Sequence, residues 1–451
     1  MANLFSALRN SAEALKAFER SLYISQNNIS NVNTPGYAKQ RQALLANAFQ
    51  VEQGLLGGVT LGEIESARNY QAEETVRRRQ FSHGETGQLR YLLSQIEPLY
   101  NATGESGIPA AIDRLFQSFS GLTATPNDAL ARREVLSAAG EAARSFQATA
   151  NGLERAFQSN RGEIVNTVAA VNRLTAVLQG YNSEIRRSLE GANDPGIDAR
   201  IHSTLEDLSR YVDLGVVRQT DGTFVVTLSQ GTQLVAGDRR QQLSVDQSGA
   251  AVEIFDEANR PVAAEIASGI LGAALRFDNQ IVPGLRTDLN RLAGQLADRV
   301  NQTLANGIDS NGLPGGALFT YNAGTEAISI SATALTAGSV AAASTGAPGG
   351  NGNALDLAAL SQSLELDGLT FGEFYANGAA VLGRQVADAK EGFDSQTQLL
   401  NQARFFRERE SAVSLDEEAT RIIEFQRAYQ ASARLVTVLD ELAETVLGLV
   451  R

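Results

Sequence analysis

The chain begins and ends with an apolar repeat of seven residues, and this pattern constrains the fold more than any other feature. Near the start the repeat consists of Leu8, Leu15, Leu22 and Ile29. Near the other end it consists of Leu415, Ile422, Tyr429, Val436, Ala443 and Val450, with Phe425, Ala433 and Leu439 between them. Such spacing is typical of coiled-coil helices. The sequence therefore predicts two long terminal helices that pair with each other.

The same sevenfold interval recurs inside the chain, at Ile164, Val171, Leu178 and Ile185. It predicts a helix over 129–190, with a possible break near Gly152 or Gly162. Further helices are predicted at 69–100, 283–306 and 371–411. Because a globular helix averages about 11 to 12 residues, the pattern favours long helical rods over a compact globule.

One segment has the alternation of β-strands. Phe224, Val226 and Leu228 alternate with Val225 and Thr227, and the Asp221-Gly222 pair before them predicts a hairpin with a type I′ turn. A weaker β-hairpin candidate lies near 327–342. The predicted fold class is mainly α, a helical-bundle or coiled-coil rod with its terminal helices paired and a small β domain inserted as an outer lobe.

A chain of 451 residues has room for about three domains. We predict a terminal coiled-coil domain from 1–60 plus 410–451, which would form the inner core. A helical rod domain would comprise 61–210 plus 278–409, and a small outer β domain 211–277.

Composition argues against several functional classes. The formal charge of −13 disfavours nucleic acid and anionic membranes as partners. There is no cysteine and there are only two histidines, His83 and His202, which we expect to be solvated helix residues. We find no nucleophile or phosphate-binding motif, so we predict no enzyme and assign no catalytic, cofactor-binding or metal-binding residue. No apolar stretch predicts a signal peptide or a membrane span.

Two charged runs have simple structural explanations. Asp416, Glu417 and Glu418 would open the last helix, where the helix dipole favours negative charge. Arg77-Arg78-Arg79 lies among glutamates on a predicted helix, and we expect a solvated face with pairs inside the helix.

The end of the first helix is unusually well specified. Four asparagines, Asn27, Asn28, Asn31 and Asn33, precede Thr34-Pro35-Gly36-Tyr37. Asparagine tolerates left-handed backbone, and Pro-Gly suits the two central positions of a type II turn. On these residues alone, a plain helix ending without any role in assembly remains equally possible.

These residues also carry a family resemblance. Asn27 to Gln40, NNISNVNTPGYAKQ, resembles the N-terminal signature of the bacterial flagellar rod, hook and hook-associated proteins. Leu415 to Val436, with Gln426 inside the run QRAYQASAR, resembles the matching C-terminal signature. Ser268 to Phe319 is similar to an internal pattern of the hook–filament junction members, with Leu304 where that pattern often has histidine.

The resemblance implies a structural subunit that is exported without a cleaved signal peptide through the flagellar type III apparatus. It implies a self-assembled ring at the hook–filament junction outside the cell, with hook protein on the proximal side and a second junction protein on the distal side. A dedicated export chaperone would cover the C-terminal helix. The assembly interface would comprise residues of both ends: Leu8, Leu15, Leu22, Asn27, Asn28, Ile29, Asn31, Asn33, Thr34, Pro35, Gly36, Tyr37, Leu415, Ile422, Phe425, Gln426, Tyr429, Ala433, Val436 and Leu439.

Physical chemistry adds that isolated terminal helices would be disordered before assembly, since a lone helix bears its nucleation cost without a partner. Two alternatives remain open. One is a sister hook or rod protein with the same terminal helices. The other belongs to a different class, a surface-binding or adhesion module carried by the β domain.

Overall fold

A computed structural model describes residues 2–50, 55–100, 106–187 and 194–448. Within these ranges the α-helices are α1 (Ala2–Ser30), α2 (Tyr70–Ile96), α3 (Gly107–Ala124), α4 (Ala129–Arg187), α5 (Pro195–Ser209), α6 (Gly269–Arg276), α7 (Val282–Asn306), α8 (Glu326–Ser329), α9 (Gly352–Ala359), α10 (Phe371–Ser411) and α11 (Leu415–Gly448). A π-helical segment, Phe277–Ile281, joins α6 to α7. The predicted mainly α class with small sheets is confirmed.

The described strands form small antiparallel sheets. The largest has four strands, β5 (Leu214–Arg218), β6 (Phe224–Leu228), β7 (Gln233–Ala236) and β8 (Arg239–Arg240), in that order. The two-stranded pairs are β1 (Gln40–Ala46) with β4 (Val59–Ser66), β2 (Phe49–Gln50) with β3 (Leu55–Leu56), β9 (Ser244–Asp246) with β10 (Glu253–Phe255), β11 (Gly307–Ile308) with β14 (Ala343–Ser344), and β12 (Phe319–Thr320) with β13 (Ser331–Ala332).

The longest helix, α4, runs unbroken for 59 residues and buries all four members of its sevenfold repeat. The possible break at Gly152 or Gly162 does not occur. A Cβ atom at Gly152 would lie 2.6 Å from a methyl of Leu99, so this glycine serves close packing and does not end the helix. Glycine in the middle of a helix costs about 1 kcal/mol relative to alanine. The burial of apolar residues along α4 offsets this cost.

Four helices, α3, α5, α6 and α9, are absent from the sequence-based prediction. The signal for α5 is nevertheless present, because Asp194 precedes Pro195. The Asp194 carboxylate accepts hydrogen bonds from the backbone N–H groups of Gly196 and Ile197, and proline is favoured in a first helical turn. An aspartate N-cap followed by proline is a helix-start pattern that could have been recognised.

The β regions differ in detail from prediction. The hairpin of β5 and β6 is present, but its turn is not type I′, because Gly222 has φ +84° while Asp221 does not have a positive φ. The Gly222 N–H donates to the Gln219 carbonyl, and the Asp221 carboxylate accepts from both the N–H and the hydroxyl of Thr223. A type I turn followed by a glycine bulge explains this pattern.

The hairpin predicted near 327–342 is also wrong. Residues 326–329 form α8, and β13 pairs with the upstream strand β12 instead of with its own downstream neighbours. Residues 333–342 are mostly alanine, threonine and serine. They offer no alternation of large apolar and polar side chains to fix a strand register.

Contacts between residues divide the chain into two compact units. The first contains Met1–Phe81, Val171–Gln241 and Thr397–Arg451, and therefore includes both chain ends and the four-stranded sheet. The second contains Ser82–Ala170 and Gln242–Gln396, and it holds an extensive apolar core with Phe119, Phe146 and Phe277 at its centre. The three-domain limits proposed from the sequence remain a prediction.

Candidate assembly site

The predicted turn after the first helix is present in the first unit. The Tyr37 N–H donates to the Thr34 carbonyl at 3.1 Å, and Gly36 between them has φ +75°. A Cβ atom at Gly36 would lie 2.3 Å from the carbonyl oxygen of Ala199 in α5. Glycine is thus required twice, once for the positive φ of the turn and once for the close approach of α5.

Asn28 fixes the chain on both sides of this turn. Its side chain is fully buried, and its amide nitrogen donates to the Gln40 carbonyl at 2.9 Å. Its amide oxygen accepts from the Gln40 N–H and from the Tyr37 hydroxyl, each at 2.9 Å. Burial, together with the charge of Glu418, raises the pKa of Tyr37 to about 12, so the phenol stays protonated and keeps donating.

The remaining asparagines act through their side chains and not through unusual backbone. None of Asn27, Asn28, Asn31 and Asn33 has a positive φ, so the expected left-handed asparagine is not found. Asn31 donates to the Asn27 side chain at 2.6 Å and accepts from the Thr34 hydroxyl at 3.1 Å. A chain of local hydrogen bonds therefore ends α1. Asn33, Thr34 and Pro35 are exposed.

Arg68, which follows β4, holds the turn from the other side. Its guanidinium donates to the Gly36 carbonyl at 2.6 Å, to the Asp198 carboxylate of α5 at 2.8 Å and to Glu73 of α2 at 2.5 Å. The side chain is only 2% exposed. One buried arginine thus ties together the turn, α2 and α5.

A second set of ion pairs joins α5 to the end of α10. Glu206 accepts from Arg407 at 2.6 Å and from Arg404 at 2.7 Å, and Arg407 also lies 3.5 Å from Glu73. Burial alone would raise the pKa of Glu206, but the two arginines outweigh it and lower that pKa. The carboxylate is therefore ionised and paired at neutral pH.

His202 lies within this cluster and is buried, so the expectation of a solvated histidine was wrong. Its ring nitrogens lie 4.0 Å from a Glu73 oxygen and 3.7 Å from an Asp198 oxygen, and neither makes a hydrogen bond within the described part of the chain. Burial and the charges of Arg68, Arg77, Arg218 and Arg407 lower the pKa of His202 well below 6.5. The ring is neutral in the folded protein.

The arginine run needs a related correction. Arg78 forms the expected exposed pair with Glu74 inside α2, at 2.8 Å. Arg77, in contrast, is partly buried, and desolvation lowers its pKa although Glu73 partly offsets the effect. Sequence reasoning missed Arg68, Glu73, Asp198, His202, Glu206, Arg404 and Arg407, because residues so far apart in sequence give no local signal.

The two terminal helices pair as predicted, and the rings of Phe18 and Phe425 stack with centroids 6.5 Å apart. On α1 the most buried row consists of small or polar residues, Ala17, Ser21, Ser25 and Asn28, while the repeat residues Leu8, Leu15, Leu22 and Ile29 are half-buried beside it. The burial of Asn28 comes from Gln40 and Tyr37 and not from α11. Phe18, which stacks on Phe425, lies at helical spacing from Leu15 and Leu22. The repeat residues as the seam of α1 remain a prediction.

On α11 the predicted residues divide into two groups. Ile422, Phe425, Ala433, Val436 and Leu439 are half-buried. Leu415, Gln426 and Tyr429 are exposed. Two helices alone cover only one narrow seam of each other, so the second group lies outside the contact within one chain.

Known proteins fit this arrangement. The model of the flagellar hook-associated protein FlgK helical domain matches residues 93–319, about half of the chain. The chain belongs to the FlgK family of flagellar hook-associated proteins. The model of the flagellar basal body rod FlgEFG protein C-terminal region matches residues 409–449, which contain α11. The FlgK match includes the internal stretch Ser268 to Phe319, so the resemblance seen in the sequence is confirmed.

Relatives extend the FlgK similarity over the rest of the chain. Flagellar hook-associated protein 1 of Bacillus subtilis is 27% identical over an alignment that covers 99% of each chain. The protein of that name from Salmonella typhimurium is 27% identical over 329 residues, covering 70% of this chain and 59% of the relative. The solved flagellar hook junction protein FlgK from Burkholderia pseudomallei covers 76% of this chain and all of its own, with a TM-score of 0.68 and 16% identity, and it supports the fold.

The described residues include no helix that is long and apolar enough to cross a membrane. They also include no cluster of three or more histidine, aspartate or glutamate side chains with the geometry to hold a metal ion. The site therefore consists of two parts. One is a buried network of hydrogen bonds and ion pairs around the turn, and the other is the α1–α11 helix pair, whose apolar residues are only half covered.

Proposed function

We propose that the chain is a structural subunit that joins the flagellar hook to the filament and performs no catalysis. The observation that carries the proposal is the pairing of the two terminal helices, α1 and α11, in one unit. The same unit contains the buried polar network around the Thr34–Tyr37 turn and an exposed apolar face on α11. Membership of the FlgK family supports the location at the junction.

The uncovered face lies on α11. Leu435, Val438 and Leu442 follow one another at helical spacing and are 54%, 52% and 49% exposed. Contiguous exposed apolar residues of this kind usually mark an interaction surface. In this proposal the stripe packs against terminal helices of neighbouring subunits, and copies of the chain form a closed ring.

Order in the terminal helices would depend on that assembly. A pair of helices with one shared seam gains little burial, while helix formation costs conformational entropy over more than 60 residues. We propose that α1 and α11 are largely disordered in the free subunit and that an export chaperone covers the apolar face of α11 in the cytoplasm. Hook protein and a second junction protein would contact the assembled ring, outside the cell after export.

A sister rod or hook role is the second candidate, and one observation favours it. The C-terminal match is to basal body rod proteins, which shows that α11 is shared with those proteins. The internal match to the FlgK helical domain favours the junction. Labelling the chain in cells discriminates the two, since a junction subunit lies only at the distal end of the hook.

The experiment that tests the function is deletion of residues 415–451 in cells that lack the native copy. Cells with the truncated chain should release flagellin into the medium and carry hooks without filaments, whereas the full chain should restore filaments. Attached filaments in normal number on cells with the truncated chain would contradict the proposal.

A further inference from the structure

The second unit contains a groove between α7 and α10 that nothing in the described unit fills. Its volume is about 630 Å³, and its walls include Leu93, Leu285, Val381 and Leu382. A smaller cavity of about 270 Å³ shares Leu285, Asp288 and Val381 with it, so the two form one continuous groove. We call this the α7–α10 groove.

Two glycines keep the groove open. Gly284 of α7 lines the larger part and Gly378 of α10 lines the smaller part, and a Cβ atom added at either would meet no atom within 4 Å. Glycine inside a helix costs about 1 kcal/mol relative to alanine. A larger side chain at either position would occupy part of the groove.

The rim of the groove is acidic. Asp288 and Asp388 both line it, and neither forms an ion pair within 4 Å in the described ranges. The arginines beside them already have carboxylates, since Arg276 pairs with Glu85 at 3.3 Å and Arg291 pairs with Asp367 at 2.6 Å. Burial, reinforced by Asp367 and opposed by Arg291, raises the pKa of Asp288. An incoming cation would stabilise the charge of both aspartates.

The first unit carries a surface with the complementary character. Phe405 and Phe406 of α10 are 60% and 45% exposed, and the Arg409 guanidinium stacks 5.5 Å from the Phe406 ring centre. These three residues occupy one exposed face of the helix. Aromatic residues and arginine are the types enriched at the energetic centres of protein interfaces. We call this the aromatic patch.

We propose that the aromatic patch of one subunit inserts into the α7–α10 groove of the next copy, with Arg409 reaching the acidic rim. The proposal rests on the ring assigned above, since a ring closes through head-to-tail contacts between two different surfaces of the same chain. A groove that is apolar with an acidic rim matches an apolar patch with a cation in polarity and in charge.

The test places the photo-reactive residue p-benzoylphenylalanine at position Phe405 in the full chain, in cells that assemble flagella. After irradiation, cross-linked dimers are digested and the joined peptides are mapped. We expect the joined peptides to come from residues 281–289 or 378–389 of another copy. The same probe at Tyr23, an equally exposed aromatic residue on α1, should react outside the groove.

Two variants sharpen the result. Arg409→Glu should lower the dimer yield by about tenfold, and Asp388→Arg in the same chain should restore it, because the charge pair is then reversed and not lost. Gly284→Leu should abolish the cross-link by filling the groove without lowering the thermal stability of the subunit, since leucine is a better helix former than glycine.

A cross-link from position 405 to another protein, to another segment, or within the same chain would overturn the proposal. So would an unchanged dimer yield in Gly284→Leu. Filaments are scored on the same cells, so loss of the cross-link with filaments still attached contradicts only the groove contact and not the role at the junction.

Discussion

Two parts of the first unit differ sharply although both bring the chain ends together. Around the Thr34–Tyr37 turn, Asn28 and Arg68 are buried and Glu206 is partly buried, and each has specific polar partners. Along the α1–α11 pair, contact is a single seam and Leu435, Val438 and Leu442 remain exposed. The difference indicates that the polar interactions around the turn are complete within one chain. The exposed apolar face of α11, in contrast, would be covered only by other subunits.

The largest loss of stability is expected from Arg68→Met. The change removes the cation shared by Glu73 and Asp198 and leaves one buried and one partly buried carboxylate without their main partner. Breaking such a buried pair costs about 3–5 kcal/mol, to be measured by urea unfolding. Arg78→Met, which removes only the exposed pair with Glu74, is the control and should cost under about 0.5 kcal/mol. Equal losses of stability in the two variants would refute a stabilising role for the buried ion pairs of Arg68.

A smaller but still large loss is expected from Gly36→Ala. The new methyl meets the Ala199 carbonyl, and the backbone must hold a positive φ that alanine disfavours. We expect a loss of about 2–3 kcal/mol. Gly312→Ala is the matched control, with φ +77° and no atom within 4 Å of the added methyl. It should cost about 1 kcal/mol, from backbone strain alone. If both variants lose the same stability, close packing of α5 on the turn is unimportant.

The third prediction concerns pH. His202 is neutral in the fold because its pKa is well below 6.5, whereas in the unfolded chain it protonates near its usual pKa. As pH falls below about 6.5, the unfolded state therefore binds a proton that the folded state does not, and stability falls by up to about 1.4 kcal/mol per pH unit. Stability is retained above that pH.

His202→Gln should make the free energy of unfolding depend less steeply on pH between pH 6.5 and 5. Glu206, whose pKa is lowered from 4.5, reduces the stability only at more acidic pH. There its carboxylate becomes protonated in the folded protein and loses its ion pairs with the two arginines. The measurement is urea unfolding across the pH series, comparing slopes and not absolute values. An unchanged slope in the variant would show that the buried ring does not titrate as described.

The smallest effect on the free subunit is expected on α11. Leu435→Ser with Leu442→Ser removes two half-exposed side chains, so the free energy of unfolding should change by less than about 0.5 kcal/mol. Phe18→Ser, which removes the stacking on Phe425, is the comparison and should change it as little, because both terminal helices are proposed to be largely disordered in the free subunit. A loss above about 1 kcal/mol in Phe18→Ser would show that the terminal helices are already ordered before assembly.

The sequence alone predicted what is local and periodic. The sevenfold repeats predicted the terminal helices and α4, and Pro35-Gly36 predicted the turn. It did not predict the ionic cluster, because Arg68, Asp198 and Arg407 lie more than 100 residues apart and meet only in the fold.

The central claim is that other subunits cover the exposed apolar face of α11. Its most direct test is filament attachment in cells that carry Leu435→Ser with Leu442→Ser. The account predicts a subunit of normal stability that is exported but leaves hooks bare, with flagellin released into the medium. Attached filaments in wild-type number on those cells would contradict it, since the exposed face of α11 would then have no part in assembly.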